Sequence, residues 1–492
     1  MSIFGLVLLG FAGIAIATTG IPAFIVLIAA AMLGAGVSIV AGGVPAIVFS
    51  ALPSRLVNLF DNDLLQALPL FAAMGLLLQG LPVGGALYRT IAGLFGSHQS
   101  GPAVAAMVLG GLFGPMNGSV GAQVLGLCRT VLPQLNAAGM PAARAQGLIS
   151  VAGTMGVVIP PSLILILLSD AMMSAHTIAM QGTNRSERII NSQDLFRGVF
   201  CPALALFIAF VVIAFRQSRH PETNPLPASP GHGLPDRPAS RTDHWIAGIS
   251  FLALAGLLAG VAMGLFYPVE AAATGGVLLL GYGLTIRAFT WQTLSANLDE
   301  IMAATGSLFA LLVAATSLTL VLRVLGTDQL FAGWLLSVPA ATTAFLLIVL
   351  ALVALAALVL DAFEIIFVLI PIIAPPLLIR VPDPVWVSVA ILMTLQLSFL
   401  MPPMGYALMM TRAIAHPPAA LSDIMRSLKP YLLAQLAVLL VVLVFPAFVH
   451  LADPDYSAQR GPAKAASTEQ IGQQLQNMLP DLPAMPQLPA QP

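Results

Sequence analysis

The sequence predicts an all-α polytopic membrane protein with two inverted repeats, each holding a re-entrant hairpin and a broken helix. Composition is the first reason: 58% of the 492 residues are hydrophobic, only 8% are charged, and the mean hydropathy is +0.96. Soluble domains carry about 25% charged residues, so this chain must use lipid as its solvent. The second reason is that apolar runs of about 20 residues, the length of a membrane helix, recur along the chain. The third is that both halves contain polar interruptions at matching spacing, which is typical of internal repeats in membrane proteins.

The apolar segments fall into two membrane repeats separated by a polar linker. We assign residues 1–215 to the first repeat, 216–244 to a flexible linker, 245–451 to the second repeat and 452–492 to a disordered tail. The linker is rich in Pro, Ser and charge, and the tail in Pro and Gln, compositions that cannot bury a core. The apolar segments lie near residues 3–18, 21–40, 64–82, 103–127, 142–169, 196–215, 245–266, 268–286, 301–325, 330–357, 361–380, 384–414 and 430–451.

Charge and cysteine content exclude several classes of function. The first 54 residues contain no Asp, Glu, Lys or Arg, so a cleavable signal peptide with a basic start is not expected, and the N-terminus is predicted to stay as a membrane helix. The net charge of −1 gives no indication of nucleic acid as a partner. Cys128 and Cys201 lie in or beside apolar segments without metal-ligand spacing, so we interpret them as packing residues.

The first half contains a tip followed by a break. The tip is GPMNGSVGA (114–122), and the break is GTMGVVIPPS (153–162). We expect a discontinuous helix whose first piece ends near Gly153 and whose second piece starts near Pro161, because proline is tolerated in a first helical turn. The freed carbonyls and the Thr154 hydroxyl are hard oxygen ligands that suit Na⁺. The N-terminus of the second piece suits an anionic group.

The second half repeats this arrangement. LVLDAFE (358–364) is followed by LSFLMPPMG (397–405), and Asp361 lies 41 residues before Pro402, whereas Asn117 lies 43 residues before Pro160. A carboxylate inside an apolar run is costly to bury, which favours a functional role for Asp361. A single Gly or Pro kink is more often structural. The occurrence of tip and break twice, at matching spacing, favours a binding site near the bilayer midplane.

Two arginines have a structural interpretation. For Arg129 and Arg323, which lie in apolar surroundings, we favour snorkelling to the membrane surface or a helix–helix salt bridge over contact with a substrate.

Seven stretches over about residues 10–450 carry a family resemblance. They are TGIPAFIV (19–26), ALPLFAAMG (67–75), FGPMNGSVGA (113–122), GTMGVVIPPS (153–162), GLFYPVEAAA (264–273), LDAFEIIFVLIPIIAP (360–375) and LSFLMPPMGYAL (397–408). Together and in this order, they resemble the large membrane subunit of tripartite ATP-independent periplasmic (TRAP) transporters. The last two are most similar to the branch named for mannitol or chloroaromatic compounds.

The resemblance implies an elevator-type secondary transporter of the bacterial inner membrane. A mobile domain would carry the substrate and Na⁺, the coupling ion, between two hairpin tips and two broken helices. The implied partners are the lipid bilayer, a separate small four-helix membrane subunit, and a soluble periplasmic binding protein that delivers the substrate, typically an organic acid. No enzymatic activity is implied.

Site residues follow from the motifs that match the family. The resemblance places one sodium site on Asn117, Gly118, Ser119, Gly153, Thr154, Gly156 and Pro160, and a second on Asp361, Met401, Pro402 and Gly405. The oxygen atoms and helix starts at the tips and breaks add the candidate substrate contacts Ser119, Pro161, Gln396 and Ser398. The first tip departs from the usual Ser-Gly-Ser, and Met401 stands where the family often has Thr.

Other functions were weighed against this one. A stand-alone Na⁺- or H⁺-coupled anion permease of related fold would share the hairpins and breaks but need no binding protein. An intramembrane enzyme is disfavoured because the sequence contains neither H-E-x-x-H nor G-x-S-x-G. A channel is disfavoured because paired hairpins and broken helices favour a gated site over an open pore.

Overall fold

The computed structural model describes residues 2–41, 46–61, 63–95, 100–183, 188, 190–218, 239–339, 341–402 and 405–453. Within those ranges the chain is helical and contains no β-strand, which confirms the predicted fold class. The described residues up to Ala452 form one compact unit. Most of the predicted linker, from 219 to 238, and the tail from 454 onward lie outside the described residues.

The first half contains eleven described α-helices. They are α1 (Ser2–Thr19), α2 (Ala23–Val40), α3 (Ala51–Phe60), α4 (Ala67–Gln79), α5 (Val83–Leu94), α6 (Ser100–Phe113), α7 (Val120–Thr130), α8 (Leu132–Ala137), α9 (Ala142–Val158), α10 (Leu163–Thr183) and α11 (Ser192–Ser218). Short 3₁₀ turns occupy Ala46–Ser50, Asp63–Gln66 and Gly114–Met116.

The second half contains ten more helices in its described part. They are α12 (Arg241–Ala262), α13 (Pro268–Thr285), α14 (Trp291–Val324), α15 (Thr327–Ser337), α16 (Thr342–Ala356), α17 (Ala362–Glu364), α18 (Ile370–Arg380), α19 (Pro384–Ser398), α20 (Tyr406–Ile414) and α21 (Leu421–Val444). A π-helical turn, Ile365–Leu369, joins α17 to α18, and a 3₁₀ turn occupies Pro446–Phe448.

Seven helical segments of the described chain are long and apolar enough to cross a membrane, or eight if the bent pair of α4 and α5 counts as one span. The axes of that pair differ in direction by 64°. The chain is therefore a multi-pass membrane protein by length and composition. The seven segments are Ala23–Val40, Ala142–Gln181, Ser192–Ser218, Arg241–Ala262, Trp291–Val324, Ala362–Arg380 and Leu421–Val444.

Three predicted boundaries are wrong. The segment predicted over 330–357 is two helices, α15 and α16, separated near Pro339. α14 begins at Trp291, earlier than the predicted start near 301, because Thr290 caps it: the Thr290 hydroxyl accepts the Thr293 N–H at 3.2 Å. The first broken helix continues through Gly153 to Val158, so its break is Ile159–Ser162 and not the longer stretch that the glycines suggested.

Each half contains a hairpin followed by a broken helix. We name them hairpin 1 (α6, residues 114–119 and α7), broken helix 1 (α9 and α10), hairpin 2 (α16 to α18) and broken helix 2 (α19 and α20). α9 packs on α6 and α7, and α19 packs on α16, so each broken helix begins against its own hairpin. The second piece of each broken helix packs on the hairpin of the other half: α10 packs on α18, and α20 packs on α7. Both breaks are thereby brought to the two hairpins.

The first pieces of both broken helices and α6 of hairpin 1 form much of the interior, whereas α16 of hairpin 2 exposes Leu347 and Leu355. Most residues of α9 and α19 are buried. The outer helices expose large apolar side chains, such as Leu252 on α12 and Trp291 on α14, as expected where lipid is the solvent. One buried ion pair joins the halves, with Arg89 Nη2 on α5 lying 2.6 Å from Asp243 Oδ1 on α12.

Candidate ion and substrate sites

The tip of hairpin 1 is a tight turn that starts a helix. Gly118 has a φ of +66°, a left-handed conformation that glycine adopts without steric cost. Ser119 is extended and caps α7, and its hydroxyl accepts the Ala122 N–H at 3.1 Å. The tip therefore sets the start of α7, whose first amide groups have no partner inside the helix.

Backbone-to-backbone packing holds this tip against broken helix 1. A Cβ placed on Gly156 would lie 2.5 Å from the carbonyl carbon of Gly114, and one on Gly114 would lie 2.5 Å from the Gly156 Cα. A Cβ on Gly153 would lie 2.5 Å from a methyl carbon of Val124 on α7. Gly153 and Gly156 thus serve close approach to hairpin 1 and do not unwind the helix.

A cavity of about 10 Å³ lies between this tip and the break, which is room for about one water-sized particle. Four residues of the first predicted sodium site line it: Gly118, Ser119, Gly153 and Gly156. The start of α10 also contributes to the wall through Leu163 and Ile164. None of the described residues that line this space is charged.

The other three residues predicted for this site do not line the small cavity. Asn117 borders a different cavity of about 390 Å³, where its Oδ1 accepts an N–H of Gln79 at 3.2 Å and its amide donates to Gln123. Thr154 is fully buried and donates its hydroxyl to the Val151 carbonyl at 2.8 Å. Pro160 is buried within the break itself.

The tip of hairpin 2 carries a carboxylate at a helix start. Asp361 Oδ1 accepts the Ala362 N–H at 2.7 Å, and the Asp361 N–H donates to Glu364 Oε2 at 3.1 Å. This capping box anchors the short helix α17 before the π-helical turn. Glu364 therefore has a backbone partner at this tip.

Broken helix 2 ends its first piece at Ser398 and resumes at Tyr406. Gly405 has a φ of +36°, and its N–H donates to the Met401 carbonyl at 2.9 Å. The Met401 carbonyl therefore already has a backbone partner. Met401 is partly exposed and Pro402 follows it in the turn, while residues 403 and 404 of the break lie outside the described set.

A third cavity, of about 220 Å³, lies between the two hairpin tips. Hairpin 1 contributes Ser119, hairpin 2 contributes Asp361, and the flanks of break 2 contribute Phe399 and Tyr406. The outer helices α2 and α14 close the remaining side, with Ser307 as a polar residue of α14. The structure thus brings together both tips, the second break and the surrounding helices around one space large enough for a small metabolite.

The predicted substrate contacts are only partly gathered around this space. Ser119 lines it, whereas Pro161, Gln396 and Ser398 do not. Gln396 is fully buried, with its amide nitrogen 4.0 Å from the sulfur of Met155. The Ser398 hydroxyl donates to the Leu395 carbonyl at 2.6 Å, so it closes the end of α19.

Sequence reasoning missed three residues that shape the sites. Ser162 caps α10 by accepting the Leu165 N–H at 3.0 Å and donates to the Val157 carbonyl at 2.7 Å. A serine directly before an apolar helix is a recognisable capping signal. Phe24 and Ser307 reach the larger cavity from α2 and α14, and nothing in their local sequence indicates this, because the contact exists only through packing.

Paired hairpins, broken helices and cavities between their ends define a polytopic membrane transport protein. The fold is similar to the crystal structure of the Alcanivorax borkumensis YdaH transporter, with a TM-score of 0.57 and 16% identity over 82% of this chain and 88% of that one. Residues 1–448 match the family model described as "Tripartite ATP-independent periplasmic transporter, DctM component". The chain belongs to this family and is a large permease subunit of a TRAP transporter.

Curated relatives agree with this assignment. The chain is 26% identical over 412 residues to the C4-dicarboxylate TRAP transporter large permease protein DctM of Pseudomonas aeruginosa, covering 82% of this chain and 90% of that protein. It is 24% identical over 405 residues to the protein of the same name from Rhodobacter capsulatus, covering 80% and 87%. Family membership makes it a transport protein and implies a small membrane subunit and a periplasmic binding protein as partners.

Proposed function

We propose that this permease subunit couples the import of a small organic acid, delivered by a periplasmic binding protein, to Na⁺ across the bacterial inner membrane. The observation that carries the proposal is a shared wall: Ser119, Val120 and Ile164 border both the 10 Å³ cavity and the 220 Å³ cavity. An ion bound in the smaller space orders the wall of the larger one. Binding of ion and substrate then favour each other, as coupling requires.

The chemistry of the smaller cavity supports sodium as the ion. Its lining offers backbone groups and the Ser119 hydroxyl, which are neutral oxygen donors of the kind that hard cations prefer. The second predicted set, Asp361, Met401, Pro402 and Gly405, remains a prediction. Of these four, only Asp361 lines the 220 Å³ cavity.

The arrangement of helices supports an elevator-type movement. The hairpins and broken helices pack on one another; the smaller cavity lies among them, and the larger one lies between them and the outer helices α2 and α14. In the proposal they move as one body against the outer helices, which face lipid. In this movement the substrate site crosses the membrane together with both hairpin tips, and it is not opened by the movement of one tip alone.

Sodium coupling is tested with proteoliposomes that contain the chain and its small subunit, with the binding protein added outside. We expect uptake of a radiolabelled panel of small carboxylic acids to require an inward Na⁺ gradient and to be indifferent to ATP. Replacement of Na⁺ by K⁺ or choline at equal ionic strength is the control. Full uptake driven by a proton gradient in the absence of Na⁺ would contradict the proposal.

A further inference from the structure

The cavity of about 390 Å³ beside hairpin 1 belongs to neither of the proposed sites. Helices α4 and α5 form one wall, and α6, Asn117 and α7 form the other. The cavity shares no lining residue with the 10 Å³ cavity or the 220 Å³ cavity. Its volume is in the range of small-molecule sites, so it has room for a ligand of its own.

Three amide side chains form a chain of hydrogen bonds along this cavity. Gln79 donates an N–H to Asn117 Oδ1 at 3.2 Å, and the Asn117 amide donates to Gln123. Gln123 in turn donates to the Gly110 carbonyl at 3.2 Å. The three amides line the cavity, and each uses one of its two N–H donors in this chain. The second donors suit a ligand that offers an acceptor oxygen.

An arginine adds a positive charge to the same lining. Arg129 follows Gln123 on α7 by about 9 Å of helix rise. It is exposed, it borders the cavity, and no carboxylate of the described residues pairs with it. None of the described lining residues is acidic. A guanidinium in this position suits a carboxylate, which it can bind through two parallel hydrogen bonds.

The rest of the lining is mainly apolar. Leu78, Leu81, Leu109, Phe113 and Leu127 all border the cavity. The acyl chain of a lipid would match these side chains but would leave the amide donors without an acceptor, which is costly away from water. The lining therefore favours a small organic acid with a carboxylate, an apolar body and an acceptor oxygen at its other end.

The two walls belong to parts of the molecule that move against each other in the proposed elevator. α4 packs on α13 and on the outer helix α14, whereas α6 and α7 pack on α9. The tip of hairpin 1 is docked directly on α4, because a Cβ on Gly75 would lie 2.7 Å from Asn117 Oδ1. Movement of hairpin 1 along α4 would separate Gln79 from Asn117 and take the walls apart. A ligand held between them therefore favours the docked state.

We propose that the 390 Å³ cavity is a second anion site, in which a small organic acid binds while hairpin 1 is docked on α4 and thereby inhibits transport. The carboxylate of the acid lies at Arg129, and its acceptor oxygen lies at Gln79 and Gln123. The inhibition rests on the proposed function, because it takes hairpin 1 to move relative to α4. The binding itself does not depend on Na⁺ coupling.

Binding is measured as protection of a cysteine in the cavity. Thr130→Cys is introduced into the full chain with Cys128→Ala and Cys201→Ala, and the complex with the small subunit is placed in phosphatidylcholine nanodiscs. The rate of alkylation by N-ethylmaleimide is followed with 4-oxopentanoate, 5-oxohexanoate or 6-oxoheptanoate as the probe. Each probe is compared with its neutral amide and with the plain acid of equal length that lacks the ketone.

We expect at least one oxo acid to protect at a concentration about tenfold below that of its amide, the ratio that one charge-assisted hydrogen bond provides. The plain acid should protect less well than the oxo acid. Arg129→Gln should abolish the preference for the acid over the amide, and Arg129→Lys should retain part of it. Arg323→Gln changes an exposed arginine that does not border the cavity, so it is the matched control and should change neither preference.

Inhibition is measured in proteoliposomes with a saturating amount of loaded binding protein, relative to the uptake of each variant without a probe. The protecting oxo acid should lower maximal uptake by about half at the concentration that gives half protection, as binding to one state requires. This inhibition should be absent in Arg129→Gln. A probe that only competes for the substrate site would leave maximal uptake unchanged.

Equal protection by acid and amide, or an unchanged preference in Arg129→Gln, would overturn the anion site. The lipid alternative is tested by adding phosphatidylglycerol to the nanodiscs. Slower alkylation without any probe, lost in Arg129→Gln, would assign the cavity to a lipid headgroup instead. Protection without inhibition would overturn the preference for the docked state. Loss of Na⁺ dependence would contradict only the proposed function, because protection is measured without an ion gradient.

Discussion

Ser119 supplies the cap of α7 and part of the wall of both cavities. Ser162 caps α10 in the same way, with its hydroxyl accepting the Leu165 N–H, but it lines neither cavity. These serines therefore share a structural role and differ in their access to the proposed ion. Comparing variants of the two serines therefore separates the effect of a lost helix cap on stability from the effect of a lost hydroxyl on ion binding.

Replacing Ser119 by Ala is expected to raise the sodium concentration for half-maximal uptake by about tenfold, if one neutral oxygen ligand contributes about 1.4 kcal/mol. Loss of the cap should also lower the free energy of unfolding by about 1 kcal/mol. Ser162→Ala should lose a similar amount of stability without changing the sodium dependence. Sodium titration of uptake and thermal unfolding check both quantities, and equal shifts in half-saturation would remove Ser119 from the ion site.

Glycine determines how the elements of the first site meet. The α9 helix remains regular through Gly153 and Gly156, and both lack a side chain because hairpin 1 occupies that space. The helix breaks only at Ile159–Ser162, where two consecutive prolines remove backbone donors. The prolines thus interrupt broken helix 1, whereas Gly153 and Gly156 allow it to contact hairpin 1.

Gly156→Ala is expected to destabilise the protein by about 1–3 kcal/mol, because the added carbon overlaps the backbone of Gly114 and forces the tip away. The ion cavity should be disturbed as well, with weaker sodium dependence of uptake. Gly36→Ala is the matched control: Gly36 also lies within a helix, α2, but a Cβ there meets nothing within 4 Å. Thermal unfolding in detergent measures both variants, and equal stability would contradict close docking of hairpin 1 on α9.

At the scale of the molecule, neither half completes the 220 Å³ cavity alone. The 220 Å³ cavity takes Ser119 from the first half and Asp361 and Tyr406 from the second. The exchange of α10 and α20 between the hairpins places these residues around one space. The Arg89–Asp243 pair adds a buried link between α5 and α12. None of the helices described here forms a soluble capture domain for the substrate.

We therefore expect the chain reconstituted without partners to be inactive. Adding the small membrane subunit and the loaded binding protein should restore uptake, because docking favours one state of the elevator through its differential contacts. Omitting each partner in turn, with the protein density in the liposomes held constant, provides the control. Robust Na⁺-driven uptake by the purified chain alone would favour the stand-alone permease instead.

The sequence by itself determined the membrane class, the helical fold and the presence of a tip and a break in each half, because hydropathy and the Gly and Pro pattern act locally along the chain. It also singled out Gly118, Ser119 and Asp361, whose residue types stand out against apolar neighbours. Only the tertiary structure decided that α9 runs on to Val158 and that Asn117 turns toward Gln79 rather than the ion-sized cavity. The tertiary structure alone also shows that Phe24 of α2 and Ser307 of α14 line the larger cavity. The physical reason is that a glycine can end a helix or admit a neighbour, and only the neighbour's position decides between these outcomes.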